Sequence, residues 1–206
     1  MPKRMQGVTL VELMIALVMV SILVAMAAPS LKEFTERNRI TAATNQMLSY
    51  LSLARNEAAK RSYNVVVCIR NAAGTGCDTS ATDYAQGVFI FVDYSDRTNQ
   101  ANYTYDGTTI KYDLDFDDAP DSYEEIIYQS EPTNSTYKIV SNRPKGPQGL
   151  SKTIIPFAPN GSLAGGTPTF SLEVQTKENN TVKRQIKFNM AGRMRSCVVA
   201  EGESSC

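Results

Sequence analysis

The sequence predicts an α+β fold in which one long N-terminal helix packs on an antiparallel β-sheet domain. Three observations predict it: an apolar run of helical length at residues 8–28, an apolar stripe at helical spacing as far as residue 58, and short β-branched runs between turn residues in the remainder. A chain of 206 residues is long enough for one such domain with an appended helix. It contains no internal repeat and no Ser/Gly linker.

The apolar run begins at Val8 and ends at Ala28, a length of 21 residues. At about 1.5 Å per residue, a helix of this length spans about 30 Å, the thickness of a bilayer core. Lys3 and Arg4 precede it, so the positive-inside rule predicts a cytoplasmic N-terminus and places the remainder of the chain outside.

One carboxylate, Glu12, lies inside this run, where hydrocarbon makes an ionised group costly. A secretory signal cut within "AMAAPS" is one alternative, but it leaves the glutamate unexplained. A signal anchor whose glutamate reaches back to the cytoplasmic surface is another. The third explanation is that the carboxylate is retained because it has a partner.

After Pro29 the sequence becomes amphipathic. The polar side carries Arg37 and Arg55 at its flank, and we expect it to face solvent or another subunit. The helical pattern ends at residues 62–64. On the other side, which we expect to cover a β-sheet, apolar residues recur at spacings of 3, 4, 4, 3 and 4: Ile40, Ala43, Met47, Leu51, Ala54 and Ala58.

The remainder of the chain is rich in strand signals separated by turn residues. Asn160-Gly161 is a tight-turn signal, and Ala191-Gly192 is predicted to join the last two strands as a hairpin. The predicted strands cover residues 64–70, 87–93, 109–116, 125–130, 136–141, 153–159, 169–176, 182–190 and 193–199.

Charge is balanced overall but unevenly distributed. Lys+Arg and Asp+Glu both number 21. Residues 106–131 carry nine acids and one base, Lys111, whereas residues 132–206 carry ten bases and four acids. A local basic face is therefore expected despite the neutral total.

Catalysis finds no support in the sequence. Histidine, the usual general base and the commonest metal ligand, is absent. There is no GxSxG motif and no phosphate-binding glycine loop. The aspartates of "YDLDFDD" (112–118) resemble the start of a calcium loop, but they alternate with apolar residues as in a half-buried strand, and Asp118 stands where such a loop needs glycine. We predict that the protein is not an enzyme and has no metal or other cofactor.

The four cysteines form two short-range pairs in sequence, Cys68 with Cys77 and Cys197 with Cys206. Neither spacing matches a CxxC metal or redox motif, and the absence of histidine excludes a mixed zinc site. Two local disulfides in an oxidising compartment are the preferred interpretation, and four buried thiols are the alternative.

The element "GRMR" (192–195) is a candidate anion-binding site. Arg193 and Arg195, two residues apart on a predicted strand, project to one face, and Lys183 and Lys187 lie on the polar face of the preceding strand. Four cations on adjacent strands could follow a phosphate backbone in a salt-sensitive, largely sequence-independent way. The alternatives are a solvated strand, or arginines that pair with acids of a neighbouring subunit.

The N-terminal segment "GVTLVELMIALVMVSILVAMAAP" resembles the class III leader and first helix of type IV prepilins and type II secretion pseudopilins. This resemblance implies that prepilin peptidase cuts after Gly7 and methylates the new amine of Val8. Glu12 is then the fifth mature residue, and Pro29 stands where pilins commonly kink or melt the helix. The family usually has Phe or Met after the cut, so Val8 is a departure that would slow processing.

In a filament of packed helices, Glu12 would neutralise the amine of Val8 in a neighbouring subunit. The free-energy cost of placing the carboxylate among apolar groups is then high when it is alone and low when it is paired. Assembly is thereby favoured over a single subunit in the bilayer.

Four further segments, "LSLARNEAAKRSYNVVVC", "GVFIFVD", "FAPNGS" and "GRMRSC", resemble the FimT/FimU/GspH group of minor pilins and pseudopilins. The resemblance implies a pilin-like fold. The implied domains are a leader at 1–7, a transmembrane and filament-core helix at 8–31, an amphipathic helix at 32–61, and a β-rich periplasmic domain at 62–206. The acidic stretch around 96–131 departs from the compact members and is interpreted as an insertion.

The function implied is that of a minor pilin that helps to initiate assembly of a type IV pilus. Two alternatives remain: a pilus-borne DNA receptor for natural transformation, as a Gly-Arg-x-Arg element implies in the FimT branch, and a type II secretion pseudopilin. The implied partners are other major and minor pilins, prepilin peptidase, inner-membrane lipid and, for a receptor, double-stranded DNA. The implied location is the bacterial inner membrane, with one pass and a periplasmic domain, and then the pilus near its tip.

Overall fold

The computed structural model describes residues 8–93, 110–111, 122–123, 125–133, 136–143, 151–164, 169–178, 181–200 and 203, with the backbone alone at 27–30, 110–111 and 122–123. It divides into two units, Met1–Thr41 and Ala42–Cys206, and the boundary lies within one long helix, α1 (Leu10–Arg61). α1 thus includes both helical segments expected from the sequence.

Within the first unit, Thr9 caps the start of α1, because its Oγ1 accepts a hydrogen bond from the Glu12 N–H at 3.3 Å. The hydroxyls of Ser21 and Thr35 donate to carbonyls four residues earlier, at 2.7 and 2.8 Å. Within the described residues, no single helix is both long and apolar enough to cross a bilayer, and Leu10–Met26 together with Leu31–Arg61 meets that requirement by length and composition alone.

In the second unit, α1 buries the apolar stripe that its sequence spacing predicts. Met47, Leu51, Ala54 and Ala58 are at most 2% exposed. Ala43 is 4% exposed, and Ile40, which belongs to the first unit, is also 4% exposed. The helix ends with Lys60 and Arg61 in its last turn, where cations interact favourably with the helix dipole.

Ten strands and one short 3-10 helix follow α1 in the described part of the chain. The strands are β1 (Asn64–Ile69), β2 (Val88–Asp93), β3 (Ile110–Lys111), β4 (Ser122–Tyr123), β5 (Ile126–Gln129), β6 (Tyr137–Ser141), β7 (Ile155–Phe157), β8 (Phe170–Thr176), β9 (Val182–Phe188) and β10 (Met194–Val198), and the 3-10 helix is Tyr84–Gln86.

These strands form two four-stranded antiparallel sheets and one pair. The order is β5-β2-β1-β7 in the first sheet and β10-β9-β8-β6 in the second, and β3 pairs with β4. The first sheet is the more hydrophobic, since β2 is buried along its whole length and β1 from its second residue. The predicted class, a long helix packed on antiparallel sheet, is confirmed, although the division into two sheets was not predicted.

Most predicted strands are present with shorter bounds. The strand predicted at 153–159 shrinks to Ile155–Phe157, because Ala158 N–H already bonds the carbonyl of Ser162 across a turn. The strand predicted at 182–190 ends at Phe188, where the hairpin turn begins. Of the strand predicted at 109–116, only Ile110–Lys111 falls within the described residues, and the aspartates of 112–118 lie outside them.

The predicted Cys68–Cys77 disulfide is present, with 5.6 Å between the two Cα atoms. It closes a short loop after β1, beside an isolated bridge between Arg70 and Cys77. Cys197 is also disulfide-bonded, and its predicted partner, Cys206, lies outside the described residues.

Candidate functional site

The N-terminal half of α1 presents an unbroken apolar surface. Its large hydrophobic side chains, from Val8 to Met26, are between 48% and 75% exposed. Apolar area of this extent on a helix is stable only against lipid or against other protein chains. This surface is the first candidate site.

Glu12 lies in the first turn of this apolar helix and is exposed. Thr9 and Glu12 occupy the N-cap and third helical positions, the spacing of a capping box, and the helix dipole favours a carboxylate there. Val8, just before the cap, is 72% exposed. Gly7 lies outside the described residues, and Pro29 belongs to the interval whose side chains are not described.

The second candidate site is the hairpin of β9 and β10, which we call the basic hairpin (residues 182–198). Its loop contains a β-turn from Asn189 to Gly192, and Gly192 has the left-handed conformation, with φ +70°. Gly192 N–H donates to the carbonyl of Asn189 at 2.9 Å, and Arg193 N–H donates to Asn189 Oδ1 at 2.9 Å. Asparagine and glycine at these two positions therefore determine the hairpin predicted from the sequence.

Two of the four predicted cations face each other across this hairpin. Arg195 pairs in register with Lys187, and Lys183 lies four residues before Lys187 on β9. The two side chains therefore lie on the same face of the hairpin.

Arg193 lies one residue before β10, where its carbonyl accepts from Asn189 N–H at 3.1 Å. It closes the turn instead of occupying the strand as predicted, because the glycine in the left-handed conformation takes the last loop position. Arg193 and Arg195 are both exposed, and within the described part of the chain neither guanidinium forms an ion pair.

Glu173 lies on β8, the strand next to β9, and is opposite Gln185. Its carboxylate accepts hydrogen bonds from Asn142 Nδ2 at 3.0 Å and from Gln175 Nε2 at 2.8 Å. Two side-chain amides therefore bind this carboxylate.

Some cations of the C-terminal part are not available to this surface. Arg143 is fully buried, donates to the Ile154 carbonyl, and lies 5.7 Å from the centroid of the Phe170 ring. Burial raises the pKa of the neighbouring Tyr84, while the Arg143 guanidinium acts to lower it. Arg143 is therefore part of the core and not of the basic face that composition predicts.

Arg55 connects α1 to the basic hairpin, and sequence reasoning was wrong to place it on a solvated or subunit-facing flank. Its Nε donates to the carbonyl of Gly161 at 2.9 Å, and its Nη2 donates to that of Ala191 at 3.4 Å. The only signal in the sequence was the pair of turn-forming glycines, Gly161 and Gly192, in separate segments.

Ion pairs bind the acids on both sides of β5, and one of the arginines also pairs with an acid of α1. Arg61, at the end of α1, binds Glu125 and Glu57, and these contacts raise the pKa of its guanidinium. The hydrogen bond from Arg61 in turn lowers the pKa of Glu57. Arg70 binds Glu131 at 3.5 Å. Acids on both sides of β5 are thereby attached to α1 and to the end of β1.

Among the residues described, no group of three His, Cys, Asp or Glu side chains could hold a metal ion. The two candidate sites are thus an apolar helix surface and a hairpin that carries several cations.

Two family models match the sequence. Residues 43–192 match the family model described as type II transport protein GspH, and residues 2–28 match the prokaryotic N-terminal methylation motif. Pilins that carry this motif are anchored in the membrane through the N-terminal helix. No curated protein matches the chain significantly.

Two crystal structures of the type IV minor pilin FimU from Pseudomonas aeruginosa PAO1 are similar to this chain. One is 18% identical, covers 84% of this chain and 98% of its own, and has a TM-score of 0.49. The other is 15% identical, covers 81% and 98%, and has a TM-score of 0.47. Since the family model matches most of the sequence, the chain belongs to the GspH family, whose members are pilin-like structural subunits and not enzymes.

Proposed function

We propose that this protein is a minor pilin that is cleaved after Gly7 by prepilin peptidase and helps to initiate assembly of a type IV pilus. The observation that supports this most strongly is the exposed apolar surface of α1 from Val8 to Met26. Before assembly, inner-membrane lipid covers this surface, with the N-terminus cytoplasmic and the β-domain periplasmic. After assembly, the helices of other pilins cover it, near the tip of the filament.

Glu12 makes the filament more favourable for this helix than lipid. Cleavage after Gly7 creates an amine at Val8, and Val8 and Glu12 are both exposed in the single chain. In a bundle of such helices, the Glu12 carboxylate of one subunit pairs with the Val8 amine of another. An unpaired carboxylate in lipid is costly, and pairing removes that cost, so the paired filament is the favoured state.

The test uses cells that lack the chromosomal copy and express Glu12→Gln, with Glu36→Gln, a half-buried acid further along the same helix, as the control. Breaking a buried ion pair costs about 3–5 kcal/mol, so we expect Glu12→Gln to lower the number of pili per cell by about ten-fold or more. Glu36→Gln should leave piliation unchanged. Normal pilus numbers with Glu12→Gln, at equal membrane levels of the protein, would refute the proposal.

The type II secretion alternative predicts a different phenotype. A pseudopilin variant at Glu12 would stop export of secreted enzymes and leave surface pili intact. Measuring both exported enzyme activity and pilus number in the Glu12→Gln strain therefore decides between the two machines.

A second function, binding of double-stranded DNA for natural transformation, is favoured by one observation. Arg195 lies opposite Lys187 on the basic hairpin, and the exposed Arg193 precedes it. Cations in this arrangement can follow a phosphate backbone. Under the competing explanation, the same cations bind acids of a neighbouring pilin.

The experiment places the full chain in nanodiscs of zwitterionic lipid and titrates a labelled DNA duplex over a salt series. Replacing Arg193 and Arg195 by Gln should weaken binding for all sequences alike and reduce the salt slope by about 1 for each phosphate that is no longer neutralised. The same double variant should take up no DNA in cells yet make pili. Loss of pili instead would assign the two arginines to contacts between subunits.

A further inference from the structure

We propose that Arg55 is the positioning residue of the basic hairpin. It holds the turn that carries Arg193 in a fixed place against α1, and it thereby sets the affinity of the hairpin for its polyanionic partner. The inference rests on the proposed DNA-binding function for the partner, but its structural half can be tested without DNA.

The contacts of Arg55 join three segments that are distant in sequence. Its Nε donates to the carbonyl of Gly161 at 2.9 Å, and its Nη2 donates to the carbonyl of Ala191 at 3.4 Å. The first carbonyl belongs to the turn after β7 and the second to the loop of the basic hairpin. One guanidinium therefore bonds the backbone of two loops.

The two loops also touch each other directly. A Cβ built on Gly192 would lie 2.0 Å from the carbonyl oxygen of Gly161, which leaves no room for a side chain between the backbones. In addition, Leu163 N–H donates to the carbonyl of Met190 at 3.2 Å. The two loops therefore contact each other through backbone atoms, and the Arg55 side chain connects them to α1.

The cations follow immediately along the chain. Arg193 is the residue after Gly192, and Arg195 is two residues further, in register with Lys187. A displacement of the loop therefore moves Arg193 and changes its distance from Arg195 and Lys187. An extended polyanion is sensitive to this spacing, since each cation must reach a phosphate oxygen.

Arginine is required at this position for a geometric reason. A guanidinium is a planar fork that can serve two acceptors in fixed directions, whereas a lysine ammonium is a single point of charge on a flexible stem. Lysine at residue 55 preserves the charge but cannot hold both carbonyls in the same way. This difference separates a positioning role from a purely electrostatic one.

The experiment compares Arg55→Lys and Arg55→Gln with the wild type and with Arg37→Gln, all as full chains in zwitterionic nanodiscs. Arg37 is a matched control because it is exposed on the same helix, and its described ion pair is with Glu33, four residues earlier. The first readout is amide hydrogen exchange in the peptide that contains Asn189 to Arg193. The second is the dissociation constant for the DNA duplex.

We expect both Arg55 variants to speed exchange in this peptide and to weaken DNA binding by about ten-fold, the effect of losing a charge-assisted hydrogen bond. Arg37→Gln should change neither. The Arg193→Gln/Arg195→Gln variant should lose binding with exchange unchanged, which separates direct DNA contact from positioning.

Two results would overturn the inference. One is unchanged exchange at residues 189–193 in both Arg55 variants, whether or not DNA binds. The other is wild-type DNA affinity in Arg55→Lys with weak binding in Arg55→Gln, which would show that charge alone matters. If the wild type binds no DNA, the receptor function fails, and exchange still decides whether Arg55 holds the hairpin.

Discussion

Replacing Gly192 by alanine is expected to destabilise the β-domain more than the same change at any other described turn glycine with a comparable φ. Gly192 has φ +70°, and left-handed backbone costs a residue with a side chain about 1–2 kcal/mol. Its added Cβ would also lie 2.0 Å from the carbonyl oxygen of Gly161, so one of two backbones has to move. We expect a total loss of about 3–4 kcal/mol in the free energy of unfolding.

Gly161→Ala and Gly74→Ala are the matched controls for this prediction. Their φ angles are +75° and +74°, so the backbone cost is the same. A Cβ at Gly161 would lie 3.1 Å from Arg55 Nε, a contact that a shift of a few tenths of an ångström relieves while the Arg55 hydrogen bonds are kept. A Cβ at Gly74 would lie 2.4 Å from Nη2, the far end of the Arg70 side chain, so neither contact displaces backbone. Each control should therefore lose only about 1–2 kcal/mol.

The assay is urea denaturation of the full chain in non-ionic detergent, followed by tyrosine fluorescence, since the chain has ten tyrosines and no tryptophan. The difference between Gly192→Ala and its controls isolates the contact between the two loops. Equal losses for all three variants would refute the reasoning that the backbone contact between Gly192 and Gly161 is tight.

Three further predictions concern the same domain. The hydrogen bond from Arg61 lowers the pKa of Glu57 below 4.5, so this bond stabilises the fold above that pH and the stabilisation is lost as the pH falls through the lowered pKa. The difference in unfolding free energy between wild type and Glu57→Gln should therefore shrink in acid. A difference that stays constant with pH would contradict this. Replacing Cys68 and Cys77 by serine should cost about 2–3 kcal/mol in urea denaturation, the loop-closure effect for a short loop, and an unchanged midpoint would exclude it. Asn189→Ala removes the side-chain acceptor of the Arg193 N–H and should speed hydrogen exchange at that amide. Equal exchange rates in variant and wild type would show that this hydrogen bond does not protect the amide.

The parts of the fold that the sequence predicts well are those determined by local spacing. The buried face of α1 follows from apolar residues three and four positions apart, and Leu51 and Ala54 are indeed fully buried. The β9–β10 hairpin follows from the turn residues between two alternating runs. The Cys68–Cys77 disulfide joins residues only nine positions apart.

The features that were missed depend on contacts between distant segments. Arg55 bonds carbonyls 106 and 136 residues further along the chain, and nothing in its neighbourhood distinguishes it from a solvated arginine. The division into two sheets depends on which strands pair. β1 pairs with both β2 and β7, and β6 pairs with β8. Turn chemistry determines local connections but not these long-range choices.

The exposed apolar helix is central to this account, and crosslinking in living cells tests it most directly. A photoreactive amino acid at Val18, which is 59% exposed, samples whatever covers the middle of that surface. If other pilin helices cover this surface, the residue at position 18 crosslinks to other pilin subunits in cells that assemble pili. These crosslinks should be lost in the Glu12→Gln strain. Adducts with lipid alone, in cells that are fully piliated, would contradict this account.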